Sequence, residues 1–380
     1  MAHVEKRMQA GTLRWRARYR SPDGRERSKS FVRKTDAEQF LAGVEVDKAR
    51  GAWIDPDLAI VSFAEWAERW MRSTTHLKPK TRTGYHSMLR ARLIPEFGAA
   101  AIGDIRPIDV REWIARMQAR GLSASSCRQA YHLLSAIMRT AVDDARIPAS
   151  PCNGIRLPRL PQVEMAYLAP DQLRALLRSV DPQYRLLIEV LAIGGLRFGE
   201  VAALRRGRCD LNRSRLMIVE NLSDVSGTLH FGSPKTHQHR AVTIPRFLRD
   251  RLVVHLAMID GDTTLVFQAP AGGPIRYSNF ARRVWKPALT AAGLPDMGLH
   301  ALRHTCAALL IAQGAHPKAI QSHLGHRSIT TTLDRYGHLF EDEHAKLAER
   351  IDAAYAELVE PDSSLPGQRL APGSVDSPAA

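Results

Sequence analysis

Five short clusters of reactive side chains follow one another in the second half of the chain. They are Gly194-Gly195-Leu196-Arg197-Phe198-Gly199-Glu200, Pro234-Lys235-Thr236, His300-Ala301-Leu302-Arg303-His304, Leu324-Gly325-His326 and Tyr336-Gly337-His338. Arginines offer rigid, permanently charged donor forks that match the oxygens of a phosphate. A tyrosine offers a phenolic oxygen that becomes a nucleophile once it gives up its proton. Histidine and lysine side chains move protons or donate to an oxyanion. Taken singly, each cluster has a plainer reading. Arg197 and Glu200 form an i,i+3 ion pair on a helix, Lys235 is a loop lysine, and Tyr336 is a half-buried aromatic with a wet hydroxyl. His300 and His304 have the i,i+4 spacing of a zinc pair. They lack the Glu after the first His and a third ligand, so no metal is expected. The chain has no Gly-x-x-x-x-Gly-Lys-[Ser/Thr] phosphate loop and no carboxylate cluster for paired Mg²⁺, so no cofactor is expected either.

The wording and order of the five clusters closely resemble the tyrosine recombinase family, specifically the lambda-type phage and integrative-element integrases. Arg followed by x-Gly-Glu, then His-x-x-Arg, Leu-Gly-His and a final Tyr are that family's signature. The resemblance covers most of residues 168–340 and, more loosely, the helical stretch before them. It implies a catalytic set of Arg197, Lys235, His300, Arg303, His326 and Tyr336. Tyr336 would attack a DNA phosphate and form a 3′-phosphotyrosyl bond. Arg197 and Arg303 would clamp the non-bridging oxygens, where charge grows in the transition state. His300 would take the tyrosine proton or bond the same oxygens, His326 would add a donor, and Lys235 would protonate the departing 5′ oxygen. Glu200 would buttress Arg197, with His304 also supporting the site from outside the reacting set. Because the phosphotyrosine stores the cleaved linkage, no ATP is implied.

Elements that position these residues are legible upstream and around them. From Leu168 the pattern is helical, then β-rich between Leu216 and Ile244, then helical again to about Leu358. A mixed, mainly helical α+β catalytic domain is therefore expected over residues 164–358. In its last helix, Phe340, Leu347, Ile351, Ala354 and Leu358 share one side. They pack either on their own domain or, as the resemblance implies, on a neighbouring subunit. Residues 61–147 read as an all-α domain of four helices, the core-binding (SAM-like) part of such enzymes. Its first helix is opened by the capping box Ser62-x-x-Glu65, its third by Pro107 and its fourth by Ser123. Prolines 148, 151, 158 and 161 punctuate a linker over residues 148–163. Residues 1–57 read as a small α+β domain. In Leu13-Arg14-Trp15-Arg16-Ala17-Arg18-Tyr19-Arg20, apolar residues alternate with arginine, which is strand periodicity with Arg14, Arg16, Arg18 and Arg20 on one face. Pro22-Asp23-Gly24 turns the chain, Ser28 to Val32 returns, and Asp36 to Arg50 is helical. This face is expected to bind DNA; the plainer alternative is an edge hairpin protected by charge. The last twenty residues hold four Pro, four Ser and two Gly, and residues 359–380 read as a disordered tail.

Composition agrees with a polyanionic partner. The 380 residues carry 54 Lys+Arg against 39 Asp+Glu, a net charge of +15, and residues 1–34 alone hold 11 Lys/Arg and three Asp/Glu. Such an excess favours nucleic acid. Cys127, Cys152, Cys209 and Cys306 form no Cys-x-x-Cys pair and read as apolar fillers in a reducing compartment. No apolar leader or membrane span is present, so the expected location is the cytoplasm, at the nucleoid. The expected activity is site-specific integration and excision of a prophage or integrative element. The expected partners are double-stranded DNA with core-type and arm-type sites, three further copies of the chain on that DNA, a host bending protein and a directionality factor. The two larger domains would close around the duplex as the family's do. A Xer-like resolvase is the nearest rival, and the basic domain at residues 1–57 argues against it. A type IB topoisomerase shares the chemistry but needs no tetramer. A regulator that binds DNA without cutting is opposed by the intact catalytic set.

Overall fold

The computed structural model describes residues 2–9, 12–22, 24–50, 53–161, 165–234, 239–340 and 343–358. The chain divides into two compact units, Met1–Val163 and Glu164–Ala380. Unit one begins with an antiparallel sheet in the order β1 (His3–Gln9), β2 (Thr12–Arg20), β3 (Glu26–Phe31), followed by α1 (Lys34–Ala49). Period-two alternation turns Trp15, Ala17 and Tyr19 toward Ala37, Leu41 and Val44 of α1, leaving Arg14, Arg16, Arg18 and Arg20 on the open face. Strand β1 was not evident in the sequence, since its seven residues offer only Val4 and Met8 as aliphatic or thioether side chains. It alters the basic face. Glu5 lies opposite Arg16 and pairs with Arg16 at 3.7 Å and Arg18 at 3.6 Å, while Glu26 of β3 meets Arg18 at 2.7 Å.

A separate core is built by α2 (Phe63–Ser73), α3 (Pro79–Met88), α4 (Ile94–Phe97), α5 (Pro107–Ala119) and α6 (Ala124–Asp143). Ser62 and Ser123 cap their helices through side-chain oxygens that accept from Glu65 N and Ser126 N, as the sequence suggests. Phe63, Trp66, Leu93, Phe97, Trp113, Leu134 and Ile137 are buried together, with Phe97 edge-on to Trp113 at 5.2 Å. The second of the expected helices runs on past Met88 through a π-turn, Leu89–Leu93, into α4. Pro95 accounts for it. A proline has no N–H and crowds the carbonyl four residues back, here Ala91, and a widened turn accommodates both defects.

Unit two contains α7 (Pro170–Ser179), α8 (Pro182–Gly194) and α9 (Phe198–Val201), then β4 (Cys209–Asp210), β5 (Arg215–Ile218), β6 (Asn221–Val225), β7 (Thr228–Gly232) and β8 (Arg240–Thr243). Strands β4, β5 and β8 form one antiparallel sheet, and β6 and β7 form a hairpin. Then come α10 (Arg246–Leu256), α11 (Tyr277–Phe280), α12 (Lys286–Ala291), α13 (Ala301–Ala312), α14 (Pro317–Leu324), α15 (Ile329–Tyr336) and α16 (Glu343–Leu358). A second π-turn, Ala281–Trp285, precedes Pro287 for the same reason. The core is centred on α8, whose Leu187, Ile188, Val190 and Leu191 are all at most 1% exposed. α13 packs directly on it. On α16, Leu347, Ile351 and Tyr355 are exposed, not docked on their own unit. Among the described residues no helix is long and apolar enough to cross a membrane.

Candidate active site

Two helices of unit two end in a left-handed glycine, and each is followed within two residues by a residue of the site. α8 stops at Gly195 (φ 65°) and α14 at Gly325 (φ 69°), a conformation that costs glycine little. Arg197 follows the first and His326 the second. Both glycines also sit where no side chain fits. A Cβ at position 195 would lie 2.7 Å from Leu324 Cδ2 and 2.8 Å from Cys306 Sγ, and one at 325 would lie 2.8 Å from Arg240 Cδ. Gly195 thus permits the tight approach of α8, α13 and α14, and Gly325 that of α14 and β8.

Arg197 precedes α9 and is fixed at both ends by Glu200. Its backbone N–H donates to Glu200 Oε2 and its Nη1 to Glu200 Oε1, each at 2.9 Å. The Glu200 side chain is fully buried. A second guanidinium, from Arg240 on β8, donates to both Glu200 oxygens at 3.0 and 2.7 Å and through Nε to the His323 carbonyl at 3.3 Å. Burial by itself would raise the Glu200 carboxyl. The hydrogen bonds and charge of Arg240, joined by Arg197, override that and hold it down at about 2. Glu200 is thus a buried anion between two cations, and the rest of the Arg197 fork has no hydrogen-bond partner among the described residues.

Arg303, on α13, is 1% exposed. It donates through Nη1 to Gly195 O at 2.6 Å and through Nη2 to Leu324 O at 2.5 Å, so it ties the ends of α8 and α14 together. Burial, then the charge of Arg197, pulls it down to about 9, still protonated at neutral pH. Tyr336, the last residue of α15, is 2% exposed and sits among Cys306, Ala307, Ile311, Ile320 and Leu324. Its hydroxyl is 2.8 Å from His304 Nδ1. The His326 ring lies parallel to the Tyr336 ring at 6.3 Å, and its Nδ1 meets the hydroxyl of the buried Thr332 at 2.9 Å. The other nitrogen of His326, Nε2, is buried without a hydrogen-bond partner among the described residues. Burial is the largest cause that raises the Tyr336 hydroxyl, with the charges of Arg303 and Arg335 opposing it. The histidines are held neutral. Desolvation, followed by Arg303, Arg335 and Arg197, takes His326 to about 3. Desolvation, Arg335 and Arg303 take His304 to about 4. His300 also falls to about 4 through desolvation and then His304 and Arg303, but its side chain is open to solvent, so water weakens its shift most.

This cluster is receptive to an anion. Arg197, Arg303, Arg335 and Arg240 all act on its titrating groups, and among the described residues Glu200 is the one carboxylate that opposes them. The orphaned His326 Nε2 adds a donor or acceptor without a partner, a cost that a ligand oxygen would remove. Among the described residues no group of three or more His, Cys, Asp or Glu could hold a metal ion. Of the residues singled out from the sequence, Arg197, Glu200, His300, Arg303, His304, His326 and Tyr336 come together here. Lys235 lies outside the described residues. Sequence reasoning missed Arg240 and Thr332. Arg240 lies forty residues from Glu200, and nothing local in the sequence singled it out; nothing singled out Thr332 either.

Residues 166–343 match the model of the Phage integrase family, residues 62–118 that of the phage integrase N-terminal SAM-like domain, and residues 9–50 that of the phage integrase N-terminal domain. The chain is 29% identical over 350 residues to the prophage phiRv2 integrase of Mycobacterium tuberculosis, covering 88% of this chain and 91% of the relative. It is 27% identical over 311 residues to the integrase of Mycobacterium phage L5, covering 78% and 82%. Among solved structures, the Tn1549 transposon integrase in complex with a circular intermediate DNA superposes with a TM-score of 0.68 at 22% identity, over 76% of this chain and 99% of the other. A lambda integrase tetramer bound to a Holliday junction gives 0.57 at 18%, over 86% and 96%.

Proposed function

The chain belongs to the phage integrase family of tyrosine recombinases, and on that footing we propose that it cuts and rejoins duplex DNA through Tyr336, in the service of integrating and excising a prophage or other mobile element. The observation that carries the reading is the convergence of Arg197, Arg303 and the unpartnered His326 Nε2 with a tyrosine whose hydroxyl is already hydrogen-bonded to a neutral histidine. Arg197 and Arg303 clamp the non-bridging oxygens of the scissile phosphate, and His326 donates to the same oxygens. Tyr336 attacks phosphorus, and the 5′ oxygen departs with a proton from Lys235. His300, at the mouth of the site, bonds the phosphate or receives the tyrosine proton. One ester is exchanged for another, so the reaction conserves the bond energy needed for rejoining without nucleotide or metal.

In this account residues 164–358 are the catalytic domain, residues 61–147 hold core-type DNA, and residues 1–57 hold arm-type sites through the arginine face of β2. The relatives named above include a tetramer on a Holliday junction, and the present chain is expected to act as a tetramer on paired sites, with a host bending protein and a directionality factor setting the outcome. The activity is tested with a plasmid carrying two copies of the core site. Recombination should proceed in EDTA without ATP for the wild-type chain and be absent for Tyr336→Phe. A Phe variant that still recombines, or a wild-type reaction that requires ATP or metal, overturns the proposal.

A further inference from the structure

Two histidines stand one helical turn apart at the start of α13, and only one of them reaches the nucleophile. His304 Nδ1 lies 2.8 Å from the Tyr336 hydroxyl. The His300 ring sits edge-on to that of His304, with centroids 4.8 Å apart at 88°, on the solvent side. No hydrogen bond joins His300 to Tyr336 among the described residues. We propose that His304 is the base that takes the proton from Tyr336 during strand cleavage and returns it during rejoining, which leaves His300 to the phosphate. This rests on Tyr336 being the nucleophile.

The chemistry requires a neutral ring with its proton on Nε2, so that Nδ1 accepts from the phenol. The surroundings supply the neutrality. Arg303 and His300 on α13 and Arg335 and Tyr336 on α15 face His304, and no carboxylate bonds it among the described residues. Each charged neighbour is a cation, and cations disfavour protonation. The arriving phosphate reverses the balance, because its negative charge stabilises the imidazolium at the moment it forms. As the bond from Oη to phosphorus forms, the O–H bond breaks and its proton passes to Nδ1. The bond from phosphorus to the 5′ oxygen breaks, and that oxygen takes a proton from Lys235. Rejoining runs the same transfers backward, so the protein ends with the protons it started with.

Asparagine at position 304 tests this, since its amide lies close to the place of Nδ1 and keeps a hydrogen bond to the phenol without being a base. The probe is a nicked suicide duplex obtained by covalent capture on the wild-type chain from a randomised pool. His304→Asn should bind the duplex as the wild type does but form the covalent adduct about 10²–10⁴-fold more slowly, and the acid limb of the pH–rate profile should disappear. His304→Ala should recover cleavage when imidazole is added. His300→Asn should slow the reaction yet keep the acid limb. The inference is overturned if His304→Asn cleaves within a few-fold of wild type, if its acid limb is unmoved, or if His300→Asn alone loses that limb. A wild-type chain that forms no adduct at Tyr336 overturns both this inference and the recombinase reading, whereas the other outcomes leave the latter standing.

Discussion

Glu200→Gln changes one atom and removes the only anion between Arg197 and Arg240. The Glu200 carboxyl stands at about 2 where an ordinary one stands at 4.5. At 1.36 kcal/mol for each pH unit, this amounts to about 3 kcal/mol of stability near neutrality. Breaking a buried pair by removing one partner costs about 3–5 kcal/mol on general grounds, and the Arg240 side chain, 9% exposed, has little water to fall back on. The sign follows from the direction of the shift. A depressed carboxyl contributes fully above 4.5 and loses its contribution as the pH falls from there toward 2. Wild type and variant should therefore differ by about 3 kcal/mol near pH 7, and the gap should narrow toward pH 3. Urea titration read by hydrogen exchange in peptides from α8 and β8 isolates unit two from unit one. Cleavage should also fall, by about 10²-fold, because the one oxygen that Gln keeps cannot accept from the Arg197 backbone, the Arg197 guanidinium and Arg240 together, and Arg197 loses its aim. A gap below about 1 kcal/mol, or one that does not narrow in acid, would refute the reasoning.

Further outcomes follow from the same geometry. Lys235→Ala should cleave poorly on an ordinary duplex and regain activity when the 5′ leaving oxygen is replaced by sulfur, which departs without a proton; equal defects on both substrates would make Lys235 a phosphate contact only. Arg14 and Arg20 make no ion pair among the described residues, unlike Arg16 and Arg18. Replacing both with Ala should lower the slope of log affinity against log salt at arm-type DNA by about two, and an unchanged slope would remove this face from the interface. With His300 and His304 at about 4 and His326 at about 3 in the folded chain, the unfolded chain protonates first, so stability should decline as the pH falls below 6.5. A bound phosphate raises all three values, so core-site affinity should increase as the pH falls toward about 4, where the histidines of the free chain protonate; equilibrium binding that stays flat would contradict this.

The residues of the candidate site were readable because most of them act at short range along the chain. Arg197 with Glu200, and Gly325 with His326, are local turns at helix ends, where residue type dictates backbone geometry. The four helices expected over residues 61–147 were legible mainly from capping residues and apolar spacing. What escaped depends on packing. Arg240 meets Glu200 across forty residues, and Thr332 meets His326 only once α15 has folded back. The i,i+4 spacing of His300 and His304 puts both on one face of α13, yet which ring reaches Tyr336 is decided by how α15 lies against it. Strand β1 is too polar to announce itself, and its Glu5 pairs with two of the four arginines on a face that β2 alone makes wholly basic.

The central claim is that Tyr336 carries the cleaved strand. It is tested most directly by trapping the wild-type chain on a nicked suicide duplex, digesting the complex, and locating the nucleotide by mass spectrometry. The account predicts one modified peptide, containing Tyr336 joined through its hydroxyl to a 3′ phosphate, and none from Tyr336→Phe. A linkage at any other residue, or through a 5′ phosphate, would contradict it.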